Sequence, residues 1–138
     1  MLNRLREKEE KTQQILEDLR DESANGTPII VEGKKDVETL NALGVGGKFV
    51  TLKTGGKSFI DVVSALEKSK VSEVVLLLDF DRRGKQGTNR LRHNLEHVGI
   101  RVNLMFWRGL LRFVGKDVQC VEGLETYLKN LRAKLVVP

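Results

Sequence analysis

Glu73-Val-Val-Leu-Leu-Leu-Asp79-Phe80-Asp81-Arg82-Arg83-Gly84 is the stretch whose reading decides the fold. Five apolar residues, Val74 to Leu78, run directly into two aspartates. A short, continuous β-branched and leucine-rich run bounded by polar residues reads as a strand buried on both faces. Asp79 and Asp81 then stand at its carboxyl end. On an extended chain, residues i and i+2 point to the same side, roughly 6.5–7 Å apart. Two carboxylates so placed repel unless a cation lies between them, and a hard cation such as Mg²⁺ takes oxygen ligands. Acidic residues also end strands because loops are solvated, so the pair gains weight only from the rest of the chain.

Working outward, the apolar runs alternate in period. Ile29-Ile30-Val31 reads as a first core strand ending at Glu32-Gly33, and Lys34 to Leu43 as a helix stopped by Gly44. Lys48 to Leu52 reads as a second strand, followed by the glycine loop Thr54-Gly55-Gly56-Lys57-Ser58 and a helix from Phe59 to Lys68. After the opening strand, a third helix is expected from near Gly87 to His97, ended by Gly99. Ile100 to Trp107 alternates Val102, Leu104 and Phe106 with Arg101, Asn103 and Met105, which predicts a fourth strand. Leu110 to Val114 fits a helical turn or a short strand, and Gly123 to Lys134 a last helix. This alternation predicts an α/β fold with a parallel sheet of about four strands, order 2-1-3-4, and helices on both faces. Ligands of such sheets bind outside the carboxyl ends of the strands where the chain reverses direction across the sheet. That order brings Glu32, Asp79 and Asp81 to one crevice.

Residues 2–22 read as a charged N-terminal helix with a narrow apolar stripe through Leu2, Leu5, Thr12, Ile15, Leu16 and Leu19. The stripe lapses at Lys8 and Glu9, which predicts packing of one face on the body or on a second subunit, the latter giving a homodimer. The expected division is a leading helix over 1–25, a core domain over 26–109, and a C-terminal extension over 110–138 packed on the same domain.

The 138 residues are 40% hydrophobic and 31% charged, ordinary for a globular protein with one core. A single cysteine, Cys120, excludes an intrachain disulfide, no apolar run reaches membrane-spanning length, and no secretory signal is evident, so a cytoplasmic protein without a membrane partner is expected. Residues 1–24 carry five basic and seven acidic side chains, so the remainder carries +7 of the net +5. A basic body fits a polyanionic partner such as DNA or RNA, and fits many other soluble proteins. The densest basic run, Arg82, Arg83, Lys85, Arg90 and Arg92, follows the aspartates directly.

Ile29-Ile-Val-Glu32-Gly33-Lys-Lys-Asp36-Val37 followed by Leu76-Leu-Leu-Asp79-Phe-Asp81-Arg-Arg-Gly84 resembles the Toprim domain, shared by topoisomerases, bacterial-type primases and several nucleases. Its marks are a strand-ending Glu-Gly and a strand-ending Asp-x-Asp, and the resemblance covers roughly residues 27–108. The whole chain looks like the small archaeal proteins in which this domain stands alone. The resemblance implies Mg²⁺, with Mn²⁺ as substitute, held by Asp79 and Asp81, with Glu32 as a further ligand or general acid/base. It implies phosphodiester chemistry on nucleic acid, by a nuclease or by primase-like nucleotidyl transfer. The other reading is a metal-dependent nucleic-acid or nucleotide binding module of a larger complex. Gly33 and Gly84 are expected to let the backbone approach a phosphate or to make a turn no β-carbon tolerates. Lys34, Lys35, Lys57, Arg82, Arg83 and Lys85 are candidate phosphate contacts, with solvated helix faces as the alternative. Asp36 is either an outer-shell group or the favourable acid of a helix's first turn.

Three other signals carry less. Gly56-Lys57-Ser58 echoes the end of a phosphate-binding P-loop, but Thr51 stands where that motif needs its opening glycine. The Asp-Phe-Asp is also similar to haloacid-dehalogenase phosphatases, which carry the pair on the first strand rather than the third. His93 and His97, at i and i+4, lack the acidic context of a helical metal motif.

Overall fold

In the computed structural model, residues 1–52 and 59–136 are described. The elements run α1 (Leu2–Ala24), β1 (Ile29–Val31), α2 (Lys34–Ala42), β2 (Phe49–Thr51), α3 (Phe59–Lys68), β3 (Glu73–Leu76), α4 (Arg82–His97), β4 (Arg101–Asn103), α5 (Met105–Val114) and α6 (Leu124–Leu135). The glycine loop around Lys57 lies outside the described residues.

All four strands are parallel and ordered β2-β1-β3-β4, the order the alternation predicts. Ile30 faces Val50 on one side and Leu76 on the other, so β1 and β3 form the centre. Ile29, Ile30, Val31 and Val74 to Leu77 are fully buried. Central parallel strands are covered by helices on both faces, which is why these runs do not alternate. Beyond β3 the backbone stays paired for one more step, Leu77 N–H donating to the Ile30 carbonyl at 2.9 Å. Right-handed crossovers then place α3 and α4 together on one face and α2 on the other.

Two boundaries differ from the sequence expectation. The alternating run 100–107 is strand only to Asn103. Asn103 Oδ1 accepts the Met105 N–H at 2.9 Å and opens α5, whose Phe106, Trp107, Leu110 and Val114 are buried at helical spacing. A short apolar run does not distinguish the two periods, and the helix wins by burying Trp107. Helix α4 starts at Arg82, five residues before Gly87. Its Asp81 accepts the Gly84 N–H at 2.7 Å, a side-chain cap that begins the helix at once. The helix stops behave as expected: Gly44 and Gly99 have φ of +89° and +86°, a region that favours glycine.

Helix α1 packs on α5 and α6 of its own chain. Leu16 and Leu19 are fully buried, and Leu16 forms a small cluster with Leu128 and Leu131. Arg20 donates to the Leu43 carbonyl at the end of α2, and Ser23 to the Gly46 carbonyl. Lys8 pairs with Asp117 at 2.8 Å and Arg132 with Glu9 at 3.2 Å. Such partly exposed pairs add little each, so apolar burial holds α1. Among the described residues no helix is long and apolar enough to cross a membrane. Leu16→Ala is expected to lower unfolding free energy by about 2–5 kcal/mol, read by urea denaturation; a change below about 0.5 kcal/mol would show that α1 is not part of the cooperative unit.

Candidate functional site

The carboxyl ends of β1 and β3 lie side by side because those strands are hydrogen-bonded neighbours. Glu32 follows β1 directly, and Asp79 follows β3 by two paired or extended residues. The Asp79 N–H donates to Glu32 Oε2 at 2.9 Å, and the two side chains also share a hydrogen bond. Residues 47 apart in sequence are thus in direct contact. Asp36, only 6% exposed, contributes further negative charge beside them.

Asp79 is held from every side. Its Oδ1 accepts the Val121 N–H at 3.0 Å, from the 3-10 turn Val121–Gly123 that precedes α6. Its carbonyl accepts the Trp107 indole N–H at 3.3 Å. Next to it, Phe80 N–H donates to the Gln119 carbonyl at 2.8 Å. The 3-10 turn is itself tied to α2, since Thr39 donates to the Glu122 carbonyl. The C-terminal segment is therefore a wall of the site.

The two glycines differ. A β-carbon on Gly84 would collide with the Asp79 carbonyl oxygen, so Gly84 is required by a close approach of α4 to the strand end. Gly33 is extended, with φ −153° and ψ 179°, and a β-carbon there would meet nothing within 4 Å. The expectation of a turn intolerant of a β-carbon therefore applies to Gly84 and not to Gly33, whose flank is open space. Asp36 Oδ2 accepts the Gly33 N–H at 2.9 Å, which makes it the acid of the first turn of α2. Asp81 and Asp79 do not act as a same-side pair on one strand: β3 has ended, and Asp81 caps α4.

Burial pushes the Asp79 carboxyl up from the usual 3.8 to about 7. The Val121 N–H works against this, and the negative charges of Glu32 and Asp36 add to it. The donor set suits a hard divalent cation: it is all carboxylate oxygen, and it holds negative charge that burial disfavours. Glu32 and Asp79 would be the inner ligands. Among the described residues no three His, Cys, Asp or Glu side chains are gathered as a ready cage. Asp81 spends Oδ1 on its cap, and a carboxylate can keep such a bond with one oxygen while binding a cation with the other.

The basic residues surround this cluster unevenly. Lys34 and Lys35 are exposed at the start of α2, and Arg82, Arg83 and Lys85 are exposed at the start of α4. Arg92 turns away to Glu96, at 3.9 Å. Arg90 lies over the Phe59 ring, 5.6 Å from its centroid. Sequence reasoning missed Trp107 and the Val121 backbone, because neither belongs to a motif.

Residues 27–107 match the Toprim domain. A UPF0292 protein of Methanocaldococcus jannaschii is 36% identical over 88% of this chain and 92% of its own length. A UPF0292 protein of Methanosarcina acetivorans is 32% identical over 94% of this chain and 88% of its own. Among solved structures, a protein from Aquifex aeolicus superposes with a TM-score of 0.66 at 26% identity, covering 79% of this chain and 94% of that one.

The raised Asp79 value sets a pH dependence. The folded state keeps this proton while the unfolded chain has lost it, so the stabilisation is full below about 4 and is lost as pH rises through about 7. In chelator, the melting temperature should fall across that window, and Asp79→Asn should flatten the fall. An unchanged slope in Asp79→Asn would show that another group causes it.

Proposed function

The chain belongs to the Toprim family, and on that premise we propose that it acts on nucleic-acid phosphodiesters with Mg²⁺, or Mn²⁺ as substitute, held by Glu32, Asp79 and Asp81. Toprim domains generally bind Mg²⁺, and the family is associated with metal-dependent, nucleic-acid-related roles. The observation that carries the reading is the direct contact of Glu32 with Asp79 at the carboxyl ends of the two central strands. Acidic side chains that only ended strands would not be drawn into a partly buried, mutually repelling pair.

A bound divalent cation supplies charge neutralisation at the phosphoryl oxygens. The chain's own residues do the rest. Glu32, hydrogen-bonded to Asp79, is placed to take up or give a proton at its carboxylate, as a general acid/base must. Asp36 positions the Glu32-Gly33 corner through the Gly33 N–H. The open flank of Gly33 admits a phosphate to the backbone, and Lys34, Lys35, Arg82, Arg83 and Lys85 attract the flanking phosphates. Lys57 joins that set by sequence position alone. Cleavage and primase-like nucleotidyl transfer both call for this arrangement of a carboxylate cluster and a basic rim. A nucleic-acid partner and a single thiol suit a cytoplasmic setting. This chain itself covers Thr12, Leu16 and Leu19 of the α1 stripe and leaves Leu2 half exposed, so a homodimer through α1 would draw on its N-terminal end and its polar faces.

Mg²⁺-dependent cleavage of labelled single- and double-stranded DNA and RNA tests the reading. Glu32→Gln and Asp79→Asn should each lower turnover about 100-fold or more with the fold retained. Full turnover in either variant would remove the carboxylates from the chemistry. Nucleic-acid binding without turnover would select the binding-module reading. Arg82→Ala and Arg83→Ala should each reduce the salt slope of affinity by about one; an unaltered slope takes those side chains off the phosphates.

A further inference from the structure

A cavity of about 380 Å³ opens beside the carboxylates, between the end of β2, the start of α3 and the first turns of α4. Glu32 stands on its border, so it is continuous with the candidate metal site. Its volume falls within the roughly 300–1,000 Å³ of small-molecule sites. Three of its walls are apolar. Leu52 and Leu78 are buried, and Phe59 is half-buried and turns part of its ring to the cavity. Arg83 and Arg90 make the lining cationic as well, and the Arg90 guanidinium lies over one face of the Phe59 ring.

Gly87, in the second turn of α4, lies on the lining of the cavity. A β-carbon on Gly87 would stand 3.5 Å from Leu78 Cδ1 and 3.6 Å from Phe59 Cζ. These are ordinary contacts, so an alanine fits sterically, and it would raise helix propensity. Neither a turn nor a positive φ demands glycine here. With no side chain at Gly87, nothing larger than a hydrogen stands between α4 and the Leu78 and Phe59 side chains at this point.

A cavity lined by apolar side chains, an aromatic ring and guanidinium groups offers what an unstacked nucleobase requires. Bases stack on aromatic side chains and on arginine planes whatever their identity. The arginines complement the phosphates that such a base brings with it. We propose that this cavity is a nucleobase subsite, formed by Phe59, Arg90, Leu78 and the gap at Gly87, which takes the base adjacent to the phosphodiester held at Glu32 and Asp79. This rests on the carboxylate reading above and deepens it. The substrate class is single-stranded nucleic acid, or a frayed strand end, because a base paired within a duplex is stacked and cannot enter.

The test is the affinity of the intact protein for a fluorescently labelled single strand and for the same sequence as a blunt duplex, in Ca²⁺ to support binding. The single strand is expected to bind about tenfold tighter. Phe59→Ala and Gly87→Leu should weaken single-strand binding about tenfold and leave duplex binding unchanged, while Phe59→Trp should restore stacking. Gly87→Ala, which folds at least as well by helix propensity, should give a smaller loss in the same direction. Equal affinity for both forms, or single-strand binding unaffected by Gly87→Leu, Gly87→Ala and Phe59→Ala, overturns the subsite. If Mg²⁺-dependent turnover then persists in those variants with unchanged KM, the carboxylate reading stands without it. If the wild-type protein binds neither form, the carboxylate reading fails first. Adenosine monophosphate alone should compete weakly; competition as strong as that of the strand would assign the cavity to a free nucleotide and overturn the strand assignment.

Discussion

The hydrogen bonds that converge on Asp79 are the constraint on which the rest of the structure depends. Its N–H reaches Glu32 at the end of β1, its Oδ1 takes the Val121 N–H ahead of α6, and its carbonyl takes the Trp107 indole of α5. One residue beyond β3 therefore binds elements drawn from most of the chain. A strand end in a parallel sheet has backbone groups that no further pairing satisfies, and buried polar groups must find partners. Here they are found in the Glu32 side chain, the Trp107 indole of α5 and the Gln119 carbonyl, while the Asp79 side chain takes the Val121 N–H, and these bonds tie the segment after residue 109 to the same core.

The same convergence imposes a cost. Burial above all, and then the negative charge of Glu32 and Asp36 beside it, raises the Asp79 carboxyl to about 7. A fold selected for stability alone would place an amide or an apolar group there. Local conflicts of this kind are where folds depart from internal consistency, and they concentrate at functional sites. Gly84 shows the other side of the constraint: α4 starts so close to the Asp79 carbonyl that no side chain fits. Asp81 stabilises that start by capping it through Oδ1, so the second acid of the Asp-x-Asp pair also serves the helix.

Much of this was legible in the residues. The unbroken apolar runs at 29–31 and 74–78 gave buried parallel strands, the helical periods between them gave crossovers, and handedness left few orders, of which the common doubly wound one is the order the sheet adopts. Glu32, Asp79 and Asp81 were expected in one crevice; the Asp79 N–H donates to Glu32, and Asp81 accepts the Gly84 N–H at the start of α4. Where β4 ends and α4 begins was not legible, since both depend on single side-chain hydrogen bonds, Asn103 to Met105 and Asp81 to Gly84. Local capping competes with periodicity over one or two residues, where a pattern has no power.

Sequence alone determined the fold class, the strand order, the family resemblance and the acidic pair, because these rest on repeated apolar spacing and on short motifs. Tertiary structure decided the environment of that pair. No pattern links Val121, Trp107 or Asp36 to Asp79, yet their contacts set its burial and its charge. Nor does any motif join Phe59 to Gly87 and Arg90, which share a wall only because α3 and α4 pack on one face of the sheet. Spacing along the chain reports what is periodic; proximity across it is made by packing, and a site is a matter of proximity.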